Sequence, residues 1–372
     1  MKRRNFVKLL GMGATGAALH SVMPPVVAQS LLPTKWRSYR LTYEVNLPIS
    51  GKVARLWLPL PDTNDSDYQF TQGSNWLGNA DTAQFGVIPG ANFPLFSASW
   101  RSGGERTVKV SSIIKTTDRT IDLQRYRAPA SSALPGDVKR YLQSTKQIPL
   151  DGIVKKTALD IIAKADAKNP LQKAKAIYDW VIRHVTYDNK ARGQGARDIG
   201  SMLTSENFDG KCVDIHALFV GLARASGIPA RQQFGIRVND SVLNQHLGKS
   251  GDVTSAQHCR AEFYLAGFGW VPVDPADVAQ VMALDILPHD HELIKQLKDR
   301  LFGSWEMNWV AFNQMEGMDL GKLSAAPSAA GKLPFFFHPH AEIDGKPQDS
   351  FEPQTFSYKI TSALLVGTGA KL

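Results

Sequence analysis

The chain has 372 residues, 43% of them hydrophobic, and a formal net charge of +9: enough for two or three packed units of ordinary globular composition. Its two cysteines are too few for a disulfide scaffold. No Lys/Arg run of the kind that tracks phosphates is present, so nucleic acid is not an expected partner. The chain opens on Lys2-Arg3-Arg4-Asn5-Phe6-Val7-Lys8, then an apolar Gly/Ala-rich stretch from Leu9 to Leu19, then Val26-Val27-Ala28. That order reads as a twin-arginine signal peptide over residues 1–28, cleaved after Ala28, with the twin-arginine export machinery as partner and the periplasm as destination. The apolar run is too short and Gly-rich to span a bilayer, so no stable membrane span is expected after cleavage; an uncleaved anchor is the alternative. Loss of Lys2, Arg3, Arg4 and Lys8 with the signal takes the charge from +9 to +5.

From Trp36 the pattern turns to strands. Tyr39–Val45 and Ala54–Pro59 alternate, residues 62–92 read as polar loops with short strands, and Ser97–Arg101, Arg106–Thr117 and Ile121–Leu123 add more. Residues 36–126 are therefore expected to form an N-terminal β-sandwich-like domain, bounded by the Pro/Ser/Gly segment 128–136. Helices follow at 153–165 and 170–185, the second with Pro170 in its first turn. Residues 189–200 form a Gly-rich basic loop without the Gly-Lys-Ser/Thr ending of a phosphate loop, so nucleotide binding is not expected. Beyond a helix from Cys212, Ala230–Val238 is a strand, His258–Leu265 and Trp270–Asp274 form a hairpin, and 293–301 is a short helix. Trp305–Phe312, Phe335–His338 and Phe356–Leu365 carry strand patterns in a C-terminal β-rich extension over 290–372.

The chemistry centres on Asp209-Gly210-Lys211-Cys212-Val213-Asp214-Ile215-His216. Asp209-Gly210 is a turn, and the apolar spacing from Cys212 to Gly227-Ile228-Pro229 is helical. Cys212 then lies in a helix's first turn, where the partial positive charge of the helix end favours thiolate over thiol. A small buried thiol filling space is the bland alternative. His258 begins one strand of the hairpin and Asp274 ends the other, so the two are cross-strand or diagonal neighbours. Cysteine, imidazole and carboxylate in that relation form a relay: the imidazole takes the thiol proton and the carboxylate orients the imidazole. The Cys212 backbone N–H is an expected oxyanion donor, and Asn207 is a candidate for the second. Alternation places Cys259 on the face opposite His258, away from the helix start, which argues against a Cys212–Cys259 disulfide. His216, one turn after Cys212, raises zinc as an option, but Cys-x-x-x-His on one helix is a weak ligand signature. No cofactor or metal is expected.

Phe208-Asp209-Gly210-Lys211-Cys212-Val213-Asp214, with Arg224-Ala225-Ser226-Gly227-Ile228-Pro229-Ala230-Arg231, resembles the nucleophile block of bacterial transglutaminase-like proteins. Gln257-His258-Cys259-Arg260-Ala261-Glu262-Phe263-Tyr264 and Gly269-Trp270-Val271-Pro272-Val273-Asp274-Pro275 resemble their histidine and aspartate blocks. The resemblance covers about residues 150–280. It implies an α+β, papain-like core over 150–285, with the nucleophile helix packed on an antiparallel sheet. It also implies Cys212 as nucleophile, His258 as base and Asp274 as orienter. Arg260 stands where many members carry an aromatic residue; with the 189–200 loop it hints at an acidic or carboxylate-bearing substrate. The implied function is an exported thiol acyl enzyme that forms a thioester at Cys212. It would act on an amide of a protein or peptide, a wall peptide among the options, as cysteine protease, amidase or transglutaminase. A non-catalytic binding module on the same scaffold is the alternative. Acyl transfer from a thioester donor, as in arylamine acetyltransferases, is a third option, although their basic-glycine motif before the cysteine is absent.

Overall fold

The computed structural model describes residues 35–365, apart from 65, 88–92, 130–132, 192, 194, 196, 321–331 and 353. The expected signal peptide over 1–28 lies outside the described residues. Among those described, no helix is long and apolar enough to cross a membrane. The architecture is α+β, with helices packed on a four-stranded antiparallel sheet beside two five-stranded sheets.

The central sheet runs in the order Gly269–Val273, Gln257–Leu265, Ala230–Arg237, Trp309–Asn313. The helix Cys212–Ala225 lies on it, and every one of its residues is buried. Phe219 of the helix meets Phe263 of the sheet, ring centroids 6.3 Å apart. A helix apolar on all sides needs cover on all sides, and Gly152–Lys164 and Pro170–His184 supply it by contributing Val154, Ala158, Ile177, Tyr178 and Val181 to the same core. Pro170–His184 starts where the sequence says it should. Asn169 caps it by accepting from the Gln172 backbone N–H at 3.0 Å, and Pro170 occupies the first position, where no N–H is needed.

The other two sheets join the two ends of the chain. Arg37–Leu47 pairs with Arg106–Thr116 on one side and with Ser357–Leu365 on the other, so Tyr43 faces Ile360 across the ladder. Ala54–Pro59 likewise pairs with Pro94–Trp100 and with His340–Ile343. Trp76 and Phe96, one from each sheet, lie 5.8 Å apart, so the sheets share a core. The boundaries drawn at 36–126 and 290–372 therefore do not separate sheets: the amino-terminal strands and the C-terminal extension form one sandwich. Alternation states which face of a strand is buried, not which strand lies beside it.

Three other expectations change. Residues 69–78 and 82–87 are full strands rather than mostly loop; both are largely exposed, so they lack an apolar alternation. Asp274-Pro275 does not merely end a hairpin. Asp274 accepts from the Asp277 backbone N–H at 3.0 Å and caps the helix Pro275–Leu284. Phe335–His338 is an extended connector between Lys332–Leu333 and His340–Ile343, not a strand, and its aromatic rings pack on Phe234.

Candidate active site

Cys212 is the first residue of its helix and only 1% exposed. The loop before it is pinned by Asp214, whose carboxylate accepts the backbone N–H groups of Lys211 (3.3 Å) and Arg197 (2.9 Å). Gly195 and Gly210 leave room for that carboxylate: a Cβ on Gly195 would fall 2.0 Å from its Oδ2, and one on Gly210 would fall 2.8 Å from the Asp214 Cβ.

The structure brings Cys212, His258 and Asp274 together. His258 Nε2 donates to Asp274 Oδ2 at 2.9 Å and lies 3.1 Å from Asp277 Oδ1. The imidazole also hydrogen-bonds the Cys212 thiol, and Nδ1 is the ring nitrogen left for it. Asp274 is fully buried and holds a second imidazole: His216 Nε2 lies 3.1 Å from its Oδ1. The strand carrying His258 is held from behind, where Trp309 Nε1 donates to the His258 carbonyl at 2.9 Å. Gly235 faces His258 across the ladder, and a Cβ there would meet the Trp309 ring at 2.6 Å.

Burial opposes every charge in this cluster, yet neighbours outweigh it. Burial alone would push the Cys212 thiol up. Hydrogen bonds from Cys259 and His258, with the charge on His258, instead hold it well below the ordinary thiol range. Burial and Arg237 press the His258 imidazole down, but Asp277 and Asp274 win and raise it to about 9. Burial would raise Asp274, whereas His258 and His216 keep it well below the usual carboxylate range. The opposed directions on Cys212 and His258, with Asp274 held low behind them, favour charge on all three groups.

Cys259 does not point away from the nucleophile. Its thiol touches Cys212 and lies 3.2 Å from His216 Nδ1, and both cysteines are free. The helix runs along the strand, Cys212 and His216 beside Cys259, Phe219 beside Phe263. Cys212 therefore sits at the strand's opening residues rather than over its middle, and neighbours from both faces reach it there. Burial, then the hydrogen bond and negative charge of Cys212, push the Cys259 thiol well up, so it stays protonated as a donor.

Other expectations are also revised. Asn207 is exposed, and its side-chain oxygen accepts the Asp209 backbone N–H at 3.1 Å, closing a turn just ahead of the helix that starts at Cys212. Arg260 is buried between Trp305 and Trp309. Its Nη1 donates to the Glu306 carbonyl at 2.9 Å, and its Nε lies 3.5 Å from Asp274 Oδ2. It steadies the carboxylate and does not face a substrate. His216, one turn after Cys212, hydrogen-bonds Asp274.

Three side chains were missed in the sequence: Cys259, Asp277 and Arg237. Arg237 Nη2 donates to Asp277 Oδ1 at 2.7 Å. The N-cap aspartate followed by proline was the signal that a helix starts at 275 and carries Asp277 inward. His258, Asp274 and Asp277 offer ligand atoms within 4.8 Å of one another. The guanidinium groups of Arg237 and Arg260 already neutralise these carboxylates, so a metal cation would enter against two fixed positive charges.

The fold has counterparts among known proteins. A protein proposed to be a cysteine protease in Cytophaga hutchinsonii superposes with a TM-score of 0.57 at 14% identity, covering 90% of this chain and 92% of that one; the likeness is one of fold. The periplasmic domain of TgpA from Pseudomonas aeruginosa matches more loosely, with a TM-score of 0.32 at 18% identity over 70% of this chain and 92% of its own. An uncharacterized protein of Haemophilus influenzae is 36% identical over 340 residues, 87% of this chain and 90% of its own length. Residues 155–275 match the Transglutaminase-like superfamily, and the chain belongs to one family with the Haemophilus protein, built around a transglutaminase-like core.

Proposed function

We propose that the chain is an exported thiol acyl enzyme in which Cys212 is the nucleophile, His258 the acid and base, and Asp274 the orienting carboxylate. The observation that carries this reading is the convergence of three side chains from separate elements: His258 hydrogen-bonds both the Cys212 thiol and, at 2.9 Å, Asp274 Oδ2, and the same contacts hold the thiol low and the imidazole high. A structural cysteine buried among apolar groups would move the other way. The thiolate attacks an amide carbonyl, and the Cys212 backbone N–H at the helix start faces the developing oxyanion. The His258 imidazolium then gives its proton to the departing amine, the C–N bond breaks, and a thioester remains on Cys212. Neutral His258 next takes a proton from water or from a second amine, which displaces the thiol and returns the pair to its resting state. Water makes the protein a protease or amidase; an amine makes it a transglutaminase. The amino-terminal twin-arginine pattern supports action on proteins or peptides of the periplasm.

Two measurements test this. A thiol-directed probe should label Cys212 rapidly at and below neutral pH and lose that speed in His258→Ala; labelling at the rate of a free thiol would favour a scaffold without chemistry. Incubation with a peptide library, with and without a labelled amine, should then give mass changes of hydrolysis or of amine incorporation, all absent in Cys212→Ala. Full turnover in that variant would refute the assignment.

A further inference from the structure

A cleft of about 330 Å³ is lined by the residues that immediately precede Cys212 and His258 in the chain. Its walls come from three places: Lys211 before Cys212, Gln257 before His258, and His338, Ser350 and Phe351 of the C-terminal extension. The extension reaches this position through packing. Phe335 and Phe337 rest on Phe234, 5.7 and 5.3 Å between centroids, and Phe234 is the cross-strand partner of Cys259. Asn313 Nδ2 donates to the Phe336 carbonyl at 2.6 Å, fixing the segment one step before His338.

Two polar side chains at this wall have unspent hydrogen-bonding groups. Gln257 is 5% exposed, and its Nε2 has no hydrogen-bond partner among the described residues. Both ring nitrogens of His338 are buried and have none either. Leaving buried donors bare is costly, and a group that fills them recovers that cost on binding. Lys211 is the one charged side chain that lines the cleft, and no acidic residue does so among those described. Burial presses His338 down to about 4, so near neutrality its ring is uncharged, with one N–H to give.

Resting on the function proposed above, we infer that this cleft is the subsite for a free carboxylate on the peptide substrate, close to the bond attacked, with Gln257, His338 and Lys211 as its donors. Recognition of a carboxylate then requires the C-terminal extension, which closes the cleft opposite the core. The hint of an acidic substrate drawn from Arg260 thus passes to other residues, because Arg260 is sealed behind Asp274.

The test uses two alkylating probes that differ only at the far end, bromoacetyl-glycine and bromoacetyl-glycinamide, on the full chain. Each loses bromide to the Cys212 thiolate and leaves a thioether. The ratio of their rates is expected to favour the acid in the unaltered protein and to fall roughly tenfold in His338→Phe and in Gln257→Leu. In Gln257→Glu, which keeps the volume and reverses the charge, the ratio should invert. An acid preference that persists unchanged in all three variants belongs to the His258 imidazolium alone and overturns the subsite, while the enzyme reading stands. A Cys212 that reacts with both probes no faster than a free thiol removes the enzyme reading and the subsite with it.

Discussion

Replacing Asp274 by asparagine isolates its charge from its structural duties. The carboxylate caps the helix Pro275–Leu284 through the Asp277 backbone N–H, and asparagine caps nearly as well, so the helix start survives. What goes is the negative charge facing His258 at 2.9 Å and His216 at 3.1 Å. The elevation of His258 from 6.5 to about 9 corresponds to about 3 kcal/mol favouring the imidazolium. Asp277 and Asp274 supply it together against burial and Arg237, so losing one charge and its hydrogen bond should remove at least half and bring the imidazole down by about one pH unit or more. The sign follows from linkage: a raised imidazole contributes stability in full below 6.5 and loses it as pH rises through about 9, so the variant should lose most in acid and neutral solution and least in alkali. Cys212 alkylation by iodoacetamide between pH 4 and 10 reads the site without a substrate. The unaltered protein should show one limb well below the ordinary thiol range and a second near 9, where the imidazolium releases the thiolate. In Asp274→Asn the second limb should move to about 8 or below. Turnover should fall by roughly 10²- to 10⁴-fold as the imidazole loses its orienting partner. A second limb still at 9 would mean that Asp274 does not govern His258, and the relay as drawn would be wrong.

Cys259→Ala removes a thiol that donates to the Cys212 thiolate, so the acid limb of the same profile should rise by about one pH unit; an unmoved limb would make Cys259 mere filling. Glu262 is buried among Arg119, Arg231 and Gln233, with Arg231 Nε and Gln233 Nε2 both 2.7 Å from its Oε2. Glu262→Gln should therefore cost about 3–5 kcal/mol in urea unfolding, because Arg231 would lose its anion and Arg119 would keep, among the described residues, only the Asp67 carboxylate at 3.5 Å. A loss below about 1 kcal/mol would show that solvent reaches them. Burial opposes the Glu262 charge, but Arg231 and Arg119 hold the carboxyl at about 2 against an ordinary 4.5. The stabilisation it brings is present above 4.5 and lost as pH falls toward 2, worth about 3 kcal/mol, and the variant's stability should be correspondingly flatter in acid.

The parts of the molecule that were legible are those whose physics is local. The Cys212 helix announced itself by apolar spacing and a Gly-Ile-Pro stop, and the hairpin by alternation, so helix, strands and the three expected residues lie where periodicity put them. What stayed hidden depends on contacts between distant segments. Strand alternation says nothing of the pairing between Ala54–Pro59 and His340–Ile343, nearly 300 residues apart. It misplaced Cys259 because a face defined within a sheet loses its meaning at the end of the helix laid on it. Alternation puts Arg260 and Glu262 on one face of the strand and says nothing of what covers that face. Their burial follows from Trp305, Trp309 and Arg119, which arrive from outside the hairpin.

The sandwich and the active site are coupled through the same strand pairings. His340–Ile343 is hydrogen-bonded to Ala54–Pro59, and two residues before it stands His338, facing the Cys212 helix start. Ser357–Leu365 pairs with Arg37–Leu47, and Tyr358, near that strand's start, also lines the cleft. The far wall of the cleft is therefore as rigid as two β ladders from the opposite end of the chain can make it. The extension is divided between core and sandwich: Trp309–Asn313 belongs to the central sheet that fixes His258, whereas His338 and Tyr358 belong to segments held by the sandwich. Altering His338 alone should thus separate the two properties: rapid alkylation of Cys212 belongs to the central sheet and its helices, and discrimination between an acid and an amide on the approaching group belongs to the wall the sandwich holds.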